Sequence, residues 1–197
     1  MSKIPELMSG RSLEHSAAII GNITTQRGLV SGLSAKVGGQ VFSANSGTVT
    51  NTTAATNFTS VTLPAGTLTQ GALLRVSAIG GITNDTSTDQ LGIKLRLSDG
   101  TLTIDVATIA ARDAATNDVF FVQADVHVSA YAVSGSVRTI ACSGFEAPGS
   151  LADLTRVGGG TLNTTVACTL ALEGTWSVAS ANNVAVLRAF SVEIVGG

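Results

Sequence analysis

Two histidines, His15 and His127, are all that the 197-residue chain offers for imidazole chemistry, and they lie far apart. Zinc sites and acid–base relays need several such groups at short spacing, and that spacing is missing. His127 follows Asp125 in the polar phase of an alternating stretch, which puts it on a solvent-facing strand surface. Serine chemistry lacks its Gly-x-Ser-x-Gly elbow. The run Gly158-Gly159-Gly160 has the suppleness of a phosphate loop, but neither Lys-Ser/Thr nor a helical pattern follows it, and it reads as a plain loop. Carboxylates for paired acid–base work would come from Asp85, Asp89, Asp113, Asp118, Asp125, Asp153 or Glu173, and their spacing brings no two into one cleft. Asp89, Asp113, Asp118 and Asp153 fall in turn-rich stretches, where a solvated turn residue is the ordinary role. Asn84, Asp85 and Asp89 have the closely spaced oxygens that calcium accepts. The sequence therefore predicts no catalytic residue, no cofactor and no metal site beyond that one option.

Binding chemistry is also sparse. Sugar rings stack on exposed aromatics, and only 4% of this chain is aromatic, with one Trp and one Tyr. Trp176 and Tyr131 read as core or rim residues, with a loop-borne Trp176 as the option for a shallow sugar site. Asn-x-Thr occurs at Asn22, Asn51, Asn57, Asn84 and Asn163, as chance provides in a Thr-rich chain. Cys142 shares phase with Ile140, and Cys168 with Val166 and Leu170. Buried thiols are favoured over a disulfide, since no export signal is evident.

Charged residues make up 12% of the chain, about half the usual share, and mean hydropathy is positive. Part of such a surface is expected to face copies of the chain or a partner, so an oligomer is anticipated. Residues 1–40 carry Lys3, Arg11, Arg27 and Lys36 against Glu6 and Glu14, a surplus of +2; the net charge of −2 leaves −4 on the remainder. That surplus is far short of the basic stripe that nucleic acid requires. No run approaches the roughly 18 apolar residues of a membrane helix, and Met1 to Gly10 lacks a signal-peptide centre, so a cytoplasmic origin is expected.

The elements that must position these residues divide the chain in two. Residues 1–40 form an N-terminal arm, in which Leu13, Ala17 and Ile20 after Ser12 suggest at most a short amphipathic helix before Gly21, Gly28, Gly32, Gly38 and Gly39 interrupt. Residues 41–197 form one β domain, with strands expected near 41–50, 57–63, 72–82, 91–98, 101–109, 118–131, 135–143, 162–172 and 184–195. Turn formers separate them, as at Pro64-Ala65-Gly66 and Asn182-Asn183. At the centre, Leu91–Ser98 and Thr101–Ile109 flank Asp99-Gly100, the signature of a two-residue hairpin turn. That turn would set Leu97 opposite Leu102, Leu95 opposite Ile104, Ile93 opposite Val106, and Lys94 opposite Asp105. Four strands before the turn and five after it suit a jelly-roll β-sandwich of about eight antiparallel strands, with the turn innermost and one strand to spare. An immunoglobulin-like sandwich wants its core Trp between two Cys, whereas Trp176 follows both.

One stretch carries a resemblance. Thr59-Ser60-Val61-Thr62-Leu63-Pro64-Ala65-Gly66-Thr67-Leu68, then Leu74-Arg75-Val76-Ser77-Ala78 and Ile82-Thr83-Asn84, continuing through the hairpin, resembles jelly-roll structural proteins of tailed bacteriophage virions over residues 57–130. The resemblance implies a non-enzymatic virion protein that decorates or cements the capsid surface, often as a homotrimer, or the receptor- or carbohydrate-binding head of a fibre or spike. In the first case the partner is the major capsid protein; the resemblance carries over no functional residue, and it is the +2 surplus and apolar side chains of the arm that make Lys3, Leu7, Arg11, Leu13, Ile19 and Ile20 the expected contacts.

Overall fold

The computed structural model describes residues 41–44, 47–84, 88–147, 150–151 and 154–195. The expected arm, with Lys3, Leu7, Arg11, Leu13, His15, Ile19 and Ile20, lies outside them, as do Asp85 and Asp153. The strands are β1 (Val41–Ala44), β2 (Thr48–Thr50), β3 (Thr56–Leu63), β4 (Leu73–Asn84), β5 (Gln90–Ser98), β6 (Thr103–Asp113), β7 (Val119–Ala130), β8 (Gly135–Ala147), β9 (Ser150–Leu151), β10 (Leu154–Leu162), β11 (Cys168–Trp176) and β12 (Val184–Val195).

They form two antiparallel sheets. The larger runs β1-β12-β4-β7-β8-β10, with β2 on β12 and β9 on β8; the smaller runs β3-β11-β5-β6. The pairings are nested around one point. β5 pairs with β6, β4 with β7, β3 with β11, and β1 and β2 with β12. That nesting is a hairpin rolled on itself, a jelly roll, and β8 to β10 is an inserted ribbon that widens the larger sheet.

Alternation explains the layers. In β5, Leu91, Ile93, Leu95 and Leu97 are buried while the residues between them are partly exposed. In β7, Phe120, Val122, Ala124, Val126 and Val128 turn inward, and His127 faces solvent as expected. Phe120 stacks between Phe58 and Phe145, with ring centroids 5.4 and 6.2 Å away, and so joins β3, β7 and β8.

The central turn departs from the expected register. Ser98 pairs with Thr103, so four residues, Asp99–Leu102, make the connection instead of two. The Asp99 carboxylate accepts from the backbone N–H of Thr101 and Leu102, which bends the chain back on itself and turns Leu102 outward. Leu97 therefore faces Ile104, Leu95 faces Ala107, and Val106 is the extra residue of a bulge. Lys94 lies opposite Thr108 but still reaches Asp105 diagonally at 3.0 Å. Gly100 has φ +89 as the turn requires. Gly100→Val should cost on the order of 1–2 kcal/mol, because a β-branched residue resists that conformation. Lys94→Ala should cost less than about 1 kcal/mol, its partly exposed ion pair being screened. Urea unfolding that ranked the two in reverse would refute a left-handed Gly100 as the pivot of the turn.

Three other expectations need correction. Gly158-Gly159-Gly160 is not a loop but part of β10, paired with Thr139, Arg138 and Val137. A side chain at Gly160 would run into Ile104, so the glycine there serves packing across the sandwich. The expected strand over 162–172 is two strand segments, the end of β10 and most of β11, and Val166 lies between them, partly exposed. In β8 the phase is opposite to that expected: Ile140 is 59% exposed, while Thr139 and Ser143 are buried with Val137 and Ala141. Cys142 accordingly belongs to the outer face; only Cys168 lies in the core.

Candidate functional site

Four connections meet at one end of the sandwich: Pro64–Ala72, Asp99–Leu102, Tyr131–Ser134 and Asn163–Ala167. Asp99 is the only charged residue among their 22. Its carboxylate is turned into the loops themselves. One oxygen accepts from Thr101 N (2.8 Å) and Leu102 N (2.6 Å), the other from Asn163 N (2.6 Å), which ties the β5–β6 turn to the β10–β11 loop. Thr164, fully buried, ties that loop to the next. Its hydroxyl accepts from Ala132 N at 2.9 Å and lies 3.2 Å from Ala132 O, and its N–H donates to Ala132 O. Gly135 completes the corner, because a Cβ there would meet the Thr164 hydroxyl and Ala130 O. The long Pro64–Ala72 connection is held by Gly71 N to Val128 O and Val128 N to Ala72 O. Backbone groups in the turns are satisfied locally, so the loops form a rigid platform.

What this platform offers outward is apolar. Leu102, Tyr131, Val133 and Val166 are 48%, 44%, 72% and 37% exposed, four of the seven large apolar side chains exposed among the described residues. Leu102, Val133 and Val166 line a depression of about 500 Å³ together with Asp99 and Asn163. Clustered exposure of this kind is what a contact surface requires.

Electrostatics set the behaviour of the platform with pH. The backbone N–H groups of Leu102, Asn163 and Thr101 hold the Asp99 carboxyl below its ordinary value. Burial, followed by the Asp99 charge, pushes the Cys168 thiol up to about 11, which leaves it protonated and a poor nucleophile. A carboxyl that titrates lower folded than unfolded stabilises fully above the unfolded range, near pH 4, and loses that contribution as pH falls through the folded value. Unfolding at pH 7 and pH 3 should therefore show a smaller acid loss for Asp99→Asn than for the parent chain. Parallel pH profiles for the two chains would mean that Asp99 does not tie the loops through its charge.

Two further surfaces carry polar groups. The outer face of the larger sheet holds a groove of about 450 Å³, bordered by Arg75, Gln123, Asp125, Ile140, Cys142 and Glu193. Arg75 and Asp125 pair across it at 3.7 Å, both more than half exposed. On the outer face of the smaller sheet, Asp105 accepts from Lys94 and Arg96, and Arg96 also donates to Glu173 at 2.9 Å. Asp105 is partly desolvated, yet hydrogen bonds from both cations hold it below the ordinary range.

The candidate residues of the sequence scatter. Asp89 and Asp118 are buried instead of solvated, because each has structural work: Asp89 accepts from Asn183 Nδ2 at 2.8 Å, and Asp118 from Ala115 N at 2.8 Å. Asp113 ends β6 in pairing with Gln90. Trp176 is 1% exposed, with its indole N–H donating to Val49 O, so it presents no stacking surface. No group of three His, Cys, Asp or Glu that could hold a metal occurs among the described residues. The platform residues were missed. Leu102 looks like a core partner of Leu97 in sequence, and the sole signal was an apolar Val133 inside a turn.

No protein-family model matches the chain, and no curated protein matches it. Among solved structures, the chain is similar to the T13 viral particle of infectious bursal disease virus, with 14% identity over 82% of this chain and 32% of that one (TM-score 0.43). It is also similar to lectin I of Ulex europaeus, with 7% identity over 80% and 98% (TM-score 0.41). The CBM2 module of the evolved Dit of Lactobacillus casei BL23 phage J-1 is a third, with 10% identity over 70% and 69% (TM-score 0.31). This chain spans about a third of the length of the viral chains it matches.

Proposed function

We propose that this chain is a non-enzymatic structural protein of a virion, a capsid decoration protein that works as a homo-oligomer, a trimer in this reading. The observation that carries the proposal is the platform, a rigid, charge-poor loop end with four exposed apolar side chains, which suits assembly better than turnover. Sequence supports the other half of the reading. Residues 1–40 combine a +2 surplus with Leu7, Leu13, Ile19 and Ile20, against a body at −4, and grip the major capsid protein of the shell. Capsids lacking the protein should co-sediment with the full chain, and removal of residues 1–35 should abolish binding while the body still melts cooperatively. Undiminished binding by the truncated chain would overturn the assignment.

The polar groove on the larger sheet favours a second reading, a receptor- or carbohydrate-binding head of a fibre or spike. Arg75, Gln123 and Asp125 present donors and acceptors there on one face. Electron cryomicroscopy of virions separates the two. Density over the whole shell supports decoration; density confined to a tail or vertex supports the head.

A further inference from the structure

We infer that the loop platform is where copies of this chain meet one another, around Leu102, Tyr131, Val133 and Val166. The inference rests on the assembly reading and deepens it by naming the partner of this surface. Size is the first argument. A standard interface engages about 20–30 residues a side, and 19 of the 22 loop residues, all but Leu68, Ala72 and Thr164, are at least partly exposed, close to the lower end of that range. Charge is the second. Symmetry gathers identical patches around one axis, so a patch with an outward charge there meets like charge. On the platform the lone carboxylate, Asp99, is taken up by three backbone N–H groups, and no cation stands on the four loops. A strongly charged partner would find only one carboxylate, already held by backbone donors, while a second copy offers a matching apolar, charge-poor surface. Rigidity is the third. Asp99 and Thr164 fix the loops before association, so little conformational entropy remains to be lost.

The experiment uses the full chain without capsids, in sedimentation velocity across micromolar concentrations. The parent chain should sediment as an oligomer. Leu102→Asp/Val133→Asp should weaken self-association on the order of 100-fold or more, since carboxylates would then face their own copies across an apolar contact. Both positions are exposed, so the variant should still fold and melt cooperatively. Ile140→Asp, on the outer face of the larger sheet, should leave the oligomer intact. Should the double variant fail to fold, Val133→Cys replaces it and should form a disulfide between copies under mild oxidation. A monomeric parent chain overturns the inference, as does an oligomer untouched by the double variant, or equal disruption by Ile140→Asp. Capsid co-sedimentation is read separately. A double variant that stays oligomeric but no longer binds capsids would overturn the inference while leaving decoration standing, and a monomeric double variant of an oligomeric parent that still binds capsids would support both.

Discussion

Trp176→Ala is expected to remove roughly 3–5 kcal/mol of stability, a fall in melting temperature of about 6 to 20 °C for a domain of this size. The indole is 1% exposed and opposite Leu91 at the end of β11, so truncation opens a cavity that neighbouring strands cannot close. It also deprives the Val49 carbonyl of its donor, 3.1 Å away. The loss is long-range, since Trp176 and Val49 are 127 residues apart and the bond pins β2 against the smaller sheet. Denaturant unfolding measures it, and a loss below about 1 kcal/mol would mean that the ring is not packed in the core.

Thr139→Val should have the opposite sign, raising stability by about 1–3 kcal/mol. Thr139 is 1% exposed, and its hydroxyl has no hydrogen-bond partner among the described residues. Folding strips that group of water and returns nothing. Valine keeps the branched shape and removes the polar atom, so the core volume is almost unchanged. A variant less stable than the parent chain would show that the hydroxyl is satisfied after all.

Thr139 also shows why part of the structure was not legible in the sequence. Strand phase is read from which residues are apolar, and in β8 that rule selects Ile140 and Cys142, whereas Val137, Ala141 and Phe145 face the core. Small residues and a threonine on the inner face made the two phases nearly equal in hydrophobicity. Around β5 the signal was strong, with four large aliphatics at alternate positions, and there the nested topology followed from the turn. The error in register came from one competing set of hydrogen bonds. Asp99 side-chain acceptance from Thr101 and Leu102 lengthened the turn by two residues, a tertiary choice tied to Asn163, 64 positions further along. The glycines of β10 misled for a similar reason: backbone without side chains reads as loop, yet at Gly160 the missing Cβ makes room for Ile104 across the sandwich. Nor could the platform be seen beforehand, because its four loops are separated in sequence and join only through contacts such as Thr164 with Ala132.

The order in which a ribosome delivers these strands runs against the order in which they can pair. β12 lies between β1 and β4 in the larger sheet, and β11 lies between β3 and β5 in the smaller. A nascent chain that has reached residue 162 can hold the β5–β6 hairpin and the β4-β7-β8-β10 portion, while β1, β2 and β3, made earlier, still lack the strands they bond to. Ladders that close over so long a stretch of chain form slowly and leave strand edges open to other nascent chains meanwhile. The earliest of the twelve strands are thus the last to be claimed, and the emergence of β11 and β12 decides whether either sheet is finished.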